Sequence, residues 1–223
     1  MFKILNSDGE AILRKVVEIK KKKREQYRVW SPGDIFSGKK CYELEIVRVA
    51  FFDLDGTIQR AKKGDFINVP SDVEIIPDVI ESFSASQIYN SWLIVGVTNQ
   101  GGIGAGFKTM ENFKAQVARL FELFCEKMGL NPFYAVYYSP FWKGEVKDNS
   151  EDREFFQRDS CLRKPNTGMI AACEIDLLQK NIVIDWEKSL MIGNSDSDKR
   201  CAARAGLKYF DREDFFKNGS GKQ

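Results

Sequence analysis

Ala50-Phe51-Phe52-Asp53-Leu54-Asp55-Gly56-Thr57 decides how the rest of the chain reads. An apolar run from Ile46 to Phe52, interrupted only by Arg48, stops at two carboxylates one residue apart, and a Gly and a Thr follow. The run is short, β-branched and aromatic, and it closes on a turn signal, so it predicts a buried strand. Carboxylates at the C-terminal end of such a strand in an α/β protein lie where these folds bind ligands. Two of them can divide the work: one acts as nucleophile or metal ligand, and the other handles protons. Gly56 permits a sharp exit from the strand. Taken alone, the same residues would also make an ordinary Asp-Gly turn.

Working outward, 223 residues with 43% hydrophobic content suit one α/β domain with a small appendage. The net charge of +2 excludes a strongly cationic nucleic-acid binder, so any basic surface must be local. No apolar run reaches the length of a membrane span, and Met1 to Asn6 meets Ser7 and Asp8 too soon for a signal-peptide core. A cytoplasmic location is the expectation. Five scattered cysteines without a C-x-x-C pair argue for thiols rather than a disulfide framework or a Cys-rich zinc site. There is no histidine. That excludes a Ser-His-Asp triad, a phosphohistidine, an H-E-x-x-H zinc site and any His base. The chemistry must run on carboxylates, Lys and Arg, hydroxyls, amides and backbone dipoles.

Residues 1–45 read as a small β-rich extension, with a hairpin expected around Asn6-Ser7-Asp8-Gly9. Its block Lys20 to Arg24 could touch phosphate backbones or simply form a solvated face. From Ile46, strands alternate with helices, which predicts βαβ units and a mostly parallel sheet over residues 46–217. Gln59 to Asp72 reads as a polar flap, Pro77 to Ala85 as a helix with Pro in its first turn, and Trp92 to Val97 as a second strand. Lys108 to Met128 is the clearest helix, with Phe113, Val117, Leu120, Phe121, Phe124 and Met128 in one stripe. A third strand covers Phe133 to Tyr138, a long loop Ser139 to Leu162, a helix Asn166 to Lys180 and a fourth strand Lys188 to Ile192. A short helix over Asp198 to Ala205 and a last strand near Leu207 to Phe210 follow, and residues 218–223 form a tail expected to be disordered.

Four polar clusters fall at strand ends: Asp53/Asp55, Thr98/Asn99, Arg163/Lys164 and Asn194/Asp196/Asp198. A parallel sheet collects them on one edge. Carboxylates and amide oxygens can hold Mg²⁺, while a hydroxyl, backbone N–H groups and a lysine can neutralise a transferring phosphoryl group. Asp53 is then the nucleophile and Asp55 the proton carrier. The run from Gly101 to Thr109 is not a Walker A loop, because Phe107 stands between Gly106 and Lys108.

The order and content of these segments resemble the haloacid dehalogenase (HAD) superfamily of phosphohydrolases over roughly Val47 to Phe216. The matches are D-L-D-G-T (Asp53 to Thr57), V-T-N-Q-G-G-I-G (Val97 to Gly104), R-K-P-N-T-G-M (Arg163 to Met169) and G-N-S-D-S-D (Gly193 to Asp198). The combination is similar to the capless subclass holding the heptose-bisphosphate and histidinol-phosphate phosphatases and the polynucleotide kinase 3′-phosphatase domain. The resemblance implies an α/β, Rossmann-like parallel sheet flanked by helices with no large cap. It implies catalysis by Asp53, Asp55, Thr98 and Lys164, and Mg²⁺ at Asp53, Asp55, Asn194 and Asp198. Asn99, Gln100, Arg163 and Ser195 are the candidate substrate contacts. Two departures stand out. Asn194 replaces the usual first aspartate of the acidic motif, and the Cys/His zinc loop of the heptose-bisphosphate enzymes is missing, so no zinc is expected.

Three functions follow as alternatives. The first is a Mg²⁺-dependent phosphomonoesterase on a small phosphorylated metabolite of the sugar-phosphate class. The second is a 3′-phosphatase on nucleic-acid ends, to which Trp142, Arg153, Phe155, Phe156 and Arg158 of the long loop could contribute stacking. The third is a non-catalytic phosphate- or partner-binding module, suggested by Asn194.

Overall fold

Phe51 and Phe52 are consecutive on one strand, so their side chains enter opposite faces, and each face carries its own apolar core. This arrangement is seen in a computed structural model that describes residues 2–4, 45–86, 88–142, 144 and 159–217. The central sheet has six strands: β1 (Phe2–Ile4), β3 (Val49–Phe52), β6 (Leu93–Asn99), β7 (Phe133–Ser139), β9 (Leu190–Gly193) and β10 (Lys208–Asp211). Their order across the sheet is β1-β7-β6-β3-β9-β10, and every neighbouring pair is parallel. The D-x-D strand therefore lies in the middle, buried at every residue.

The Phe52 face is covered by α1 (Pro77–Ser86), α3 (Met110–Met128) and α6 (Arg212–Lys217). Phe52 packs edge-on against Phe83 and Phe215 with ring centroids 5.5 and 5.7 Å apart. Burying each such ring stabilises the fold by about 1.5–3 kcal/mol. Phe113, Val117, Leu120 and Phe124 form the buried stripe of α3, as the spacing predicts. The Phe51 face is covered by α4 (Gly168–Gln179) and α5 (Asp196–Ala205), through Met169, Cys173, Leu177 and Ala202.

Several elements depart from the sequence reading. The run from Ile46 to Phe52 is two strands rather than one. β2 (Glu45–Val47) leaves the main sheet to pair in parallel with β8 (Ile182–Ile184), and the chain switches at Arg48, whose guanidinium lies over the Trp92 ring. The expected flap contains a small antiparallel hairpin, β4 (Gln59–Ala61) with β5 (Val73–Ile75). Helix α3 starts at Met110 because the Thr109 hydroxyl caps it by accepting the Asn112 N–H at 3.1 Å. A single turn, α2 (Gly101–Gly104), follows β6 directly. No described segment forms a separate cap domain. The expected hairpin around Asn6 to Gly9, the lysine block, the loop residues Arg153, Phe155, Phe156 and Arg158, and the tail 218–223 lie outside the described residues.

Candidate active site

Every strand of the main sheet runs the same way, so the segments following β3, β6 and β9 share one edge. Beyond β3, the Asp53 N–H still continues the ladder by donating to the Ile192 carbonyl at 2.9 Å. The chain then turns tightly. The Leu54 carbonyl accepts from the N–H groups of Thr57, Ile58 and Gln59 at 3.2, 2.9 and 2.9 Å. Gly56 makes the turn possible at φ +81°, where a side chain would be strained. The space its missing β-carbon leaves is filled by the Asn194 side chain, arriving from β9.

Lys164 is the electrostatic centre. Its Nζ donates to Asp53 Oδ1 at 2.5 Å and to the Val97 carbonyl at 2.8 Å, and it lies 2.6 Å from Asp198 Oδ1. Lys164 is 3% exposed and Asp53 7%, so the cluster is shielded from bulk water. Burial pushes the Asp53 carboxyl up to about 6 from its ordinary 3.8, because the pull of Lys164 does not offset burial plus the repulsion of Asp198 and Asp55. Burial alone would lower the Lys164 ammonium, but Asp53 and Asp198 together outweigh it and hold the proton on. The lysine is fixed through its backbone too. The Lys164 N–H donates to Asn99 Oδ1 at 2.9 Å, and Asn99 Nδ2 donates back to the Lys164 carbonyl at 3.1 Å.

Asp55 is exposed, yet both of its oxygens are held. Gln59 Nε2 donates to Oδ1 at 2.8 Å and Gln100 Nε2 to Oδ2 at 2.7 Å. Gln100 Nε2 also donates to Thr98 Oγ1 at 3.0 Å. The Thr57 hydroxyl lies 3.4 Å from Asp53 Oδ2.

The site residues expected from sequence thus fall into groups. Asp53, Asp55, Thr98 and Lys164 come together. Asn99 and Gln100 are turned toward protein groups, where they orient Lys164 and Asp55. Ser195 caps α5: its hydroxyl donates to Asp198 Oδ2 at 2.7 Å and accepts the Asp198 N–H at 3.3 Å, while its own N–H reaches the same carboxyl at 3.1 Å. This Ser-x-x-Asp capping box is a signal the local sequence carries. Asp198 is consequently held by Lys164 on one oxygen and by Ser195 on the other. Arg163 is half-buried, donates to the Phe141 carbonyl at 3.1 Å and stacks over Trp142 at 5.2 Å. The sequence reading did not single out Gln59, Lys108 or Gln116. Lys108 Nζ donates to the side-chain carbonyls of Gln116 at 2.9 Å and Gln100 at 3.3 Å.

Among the described residues, no three Asp, Glu, Cys or His side chains converge as a ready-made metal centre. Oxygens of mixed kind are nonetheless at hand on this edge: the Asp53 carboxylate, the Asp55 carbonyl and the carboxamide of Asn194, whose Nδ2 is the atom nearest Gly56 and whose oxygen a cation would take by the amide turning over. An all-oxygen set with a carboxylate suits Mg²⁺. A cation there would also offset the burial, and the smaller repulsion from Asp198 and Asp55, that raise Asp53.

A central parallel sheet with D-x-D at its middle strand, a buried lysine bridging that aspartate to the acidic motif and no described cap domain define a phosphatase of the HAD superfamily. Residues 48–216 match the family model described as polynucleotide kinase 3 phosphatase, and the chain belongs to that family. It is 30% identical to the D-glycero-D-manno-heptose-1,7-bisphosphate 7-phosphatase of Chlorobaculum tepidum over 165 residues, covering 74% of this chain and 78% of the relative. It is 28% identical to the corresponding 7-phosphatase of Burkholderia mallei, covering 72% and 76%. An HAD-like protein of Mesorhizobium loti superposes with a TM-score of 0.57 at 26% identity, over 76% of this chain and 73% of the other. The fold is shared as well with the D,D-heptose 1,7-bisphosphate phosphatase of B. bronchiseptica, solved with magnesium and phosphate (TM-score 0.53, 20% identity, 74% and 79% covered). No described helix is long and apolar enough to cross a membrane.

Proposed function

We propose that the chain is a phosphomonoester hydrolase that passes through an aspartyl-phosphate on Asp53, with a small phosphorylated metabolite of the sugar-phosphate class as substrate. The observation that carries this reading is the buried contact of Lys164 with Asp53 beside an exposed, doubly held Asp55. One carboxylate is kept dry and paired with a cation, and the other stands at the solvent edge where a leaving oxygen and a water can reach it. Two carboxylates in such different settings suit two different tasks.

Asp53 attacks phosphorus, the bond from phosphorus to the ester oxygen breaks, and Asp55 delivers a proton to that oxygen. Asp55 then takes a proton from water. The water oxygen attacks phosphorus, and the acyl-phosphate bond breaks to free phosphate and restore Asp53. Lys164 and the Thr98 hydroxyl neutralise and orient the phosphoryl oxygens in both steps. Asp53, the Asp55 carbonyl and Asn194 would hold Mg²⁺, which would supply the charge that lets an anionic nucleophile meet a phosphate. Asp198 acts on this site through Lys164.

Support for the sugar-phosphate class comes from the relatives at 28–30% identity, which are heptose-bisphosphate phosphatases. A second reading, hydrolysis of a 3′-phosphate at a nucleic-acid end, is favoured by the matching family description and by the stacked Arg163–Trp142 pair at Gly101. A screen of sugar phosphates, nucleotides and 3′-phosphorylated oligonucleotides with Mg²⁺ separates the two. The first reading expects sugar phosphates to give the highest kcat/KM, and Asp53→Asn to abolish turnover. Preference for oligonucleotides with a steep loss in salt would select the second. No turnover of any ester would leave the binding-module alternative.

A further inference from the structure

We propose that Lys108 is a positioning residue for Asp55, acting through the side-chain amide of Gln100. The inference rests on Asp55 as the proton carrier. Lys108 is half-buried, and among the described residues no carboxylate lies within ion-pair distance of it; its side-chain polar contacts are the two glutamine carbonyl oxygens. An ammonium group can only donate. It therefore forces both carboxamides to turn their oxygens toward it and their NH₂ groups away.

The consequence runs in two directions. The Gln100 NH₂ faces the site, one hydrogen on Asp55 Oδ2 and one on Thr98 Oγ1. The Gln116 NH₂ faces the flap, donating to the Ile67 carbonyl at 2.9 Å and to Asn112 Oδ1 at 3.3 Å. Asn112 Nδ2 in turn donates to the Asn68 carbonyl at 2.8 Å. Lys108 thus sets the polarity of a chain of hydrogen bonds running from the flap backbone to the proton carrier. Without it, only the ionised Asp55 carboxylate favours the NH₂ face of the Gln100 amide, and a protonated Asp55, which can itself donate, would accept either face. A turned-over amide would set a carbonyl oxygen against the Asp55 carboxylate, and Asp55 would be held from the Gln59 side alone. The ammonium gains in return from the negative field of Asp55, which offsets part of its burial.

The test is a comparison of leaving groups. An alkyl phosphate needs a proton on its departing oxygen, whereas a 4-nitrophenyl phosphate departs as a stable phenolate and needs it far less. Lys108→Met is expected to lower kcat/KM on the alkyl ester about 10- to 100-fold, part of the roughly 10²–10⁴ that a placed proton donor contributes, and to leave kcat/KM on the aryl ester within about threefold, because kcat/KM stops at departure of the leaving group and excludes the later hydrolysis, in which Asp55 is the base for both esters. Lys108→Arg, still an obligate donor, restores most of the loss, and Asp55→Asn shows the same pattern more strongly. Equal losses on both esters, or none on either, overturn the proposal. Lys108→Gln, which lets the amides turn, serves if the Met variant does not fold. Inactivity of the unmodified protein on every ester would strike the phosphatase mechanism instead. The inference is then decided by NMR: the side-chain amide peaks of Gln100, assigned with Gln100→Ala, are expected to move in Lys108→Met and not in Lys127→Met. Unmoved peaks in Lys108→Met refute it.

Discussion

Lys164 Nζ stands 2.5 Å from Asp53 Oδ1, and the same ammonium bridges to Asp198, so two carboxylates share one cation in the interior. Removing it leaves two like charges buried together. Lys164→Met is expected to abolish phosphatase activity and to cost roughly 3–5 kcal/mol of stability at neutral pH. The loss should shrink toward pH 5 as the stranded Asp53 carboxyl takes up its proton. Urea unfolding at pH 5 and pH 8 checks this, and a pH-independent loss below about 1 kcal/mol would show that the cluster is not electrostatically coupled.

Asp53 gives a pH dependence of definite sign. Its folded-state value of about 6 lies above its ordinary 3.8, so the folded protein holds this proton more tightly than the unfolded chain. The stability it contributes is complete below about pH 3.8 and is lost as pH rises through about 6. In metal-free buffer, Asp53→Asn is expected to be more stable than the unmodified protein at pH 7.5, by on the order of 2–3 kcal/mol, with the gap closing near pH 4. Excess Mg²⁺ should reverse the order by stabilising only the protein that binds it. Identical melting temperatures from pH 4 to pH 8 would contradict the burial of this carboxyl.

Most of the candidate site was legible because Asp53, Thr98 and Asn194 lie at or directly after the ends of apolar strands, whereas Lys164 is reached only through the long loop after β7. Asp53, Thr98 and Asn194 need only a parallel sheet to meet, and a parallel sheet follows from the alternation of strands and helices. The support around them was not. Gln59 lies on a three-residue strand with no usable periodicity, and Gln100 meets Lys108 and Asp55 through contacts set by tertiary packing. Arg48 gave no sign that the chain changes sheets there, because pairing of β2 with β8 depends on residues more than 130 positions later. Ser195 is the instructive case: its capping box was present in the sequence, but the polar cluster around it suggested the substrate first.

Gly56 ties the turn to the acidic motif. A β-carbon there would both strain a backbone at φ +81° and displace the Asn194 side chain. Gly56→Ala is expected to lose roughly 1–3 kcal/mol of stability, and activity with it, since the Asp55 carbonyl and Asn194 shift together. Gly64 offers a control, because its φ of +76° carries the same strain with open space around it. Gly64→Ala should lose stability while keeping activity. Comparable kcat in the two variants would mean that the Asn194 contact is immaterial.

On the proposed mechanism, Asn194 would be a metal ligand. As an amide it offers an oxygen but no charge, and Asp198 is engaged on both oxygens by Lys164 and Ser195, whereas Asp53 keeps an Oδ2 that Lys164 does not hold and that a cation could use. Affinity for a hard divalent ion falls with the number of charged ligands. Asn194→Asp is therefore expected to lower the Mg²⁺ concentration for half-maximal activity on the order of tenfold, about 1.4 kcal/mol. The added charge sits near Asp53 and Asp55, so the same variant should melt lower than the unmodified protein in chelator and higher in millimolar Mg²⁺. This crossing of the melting curves separates a ligand role from a general effect on the fold, and it needs no substrate. An unchanged Mg²⁺ requirement with melting temperatures that move in parallel would place the metal away from residue 194.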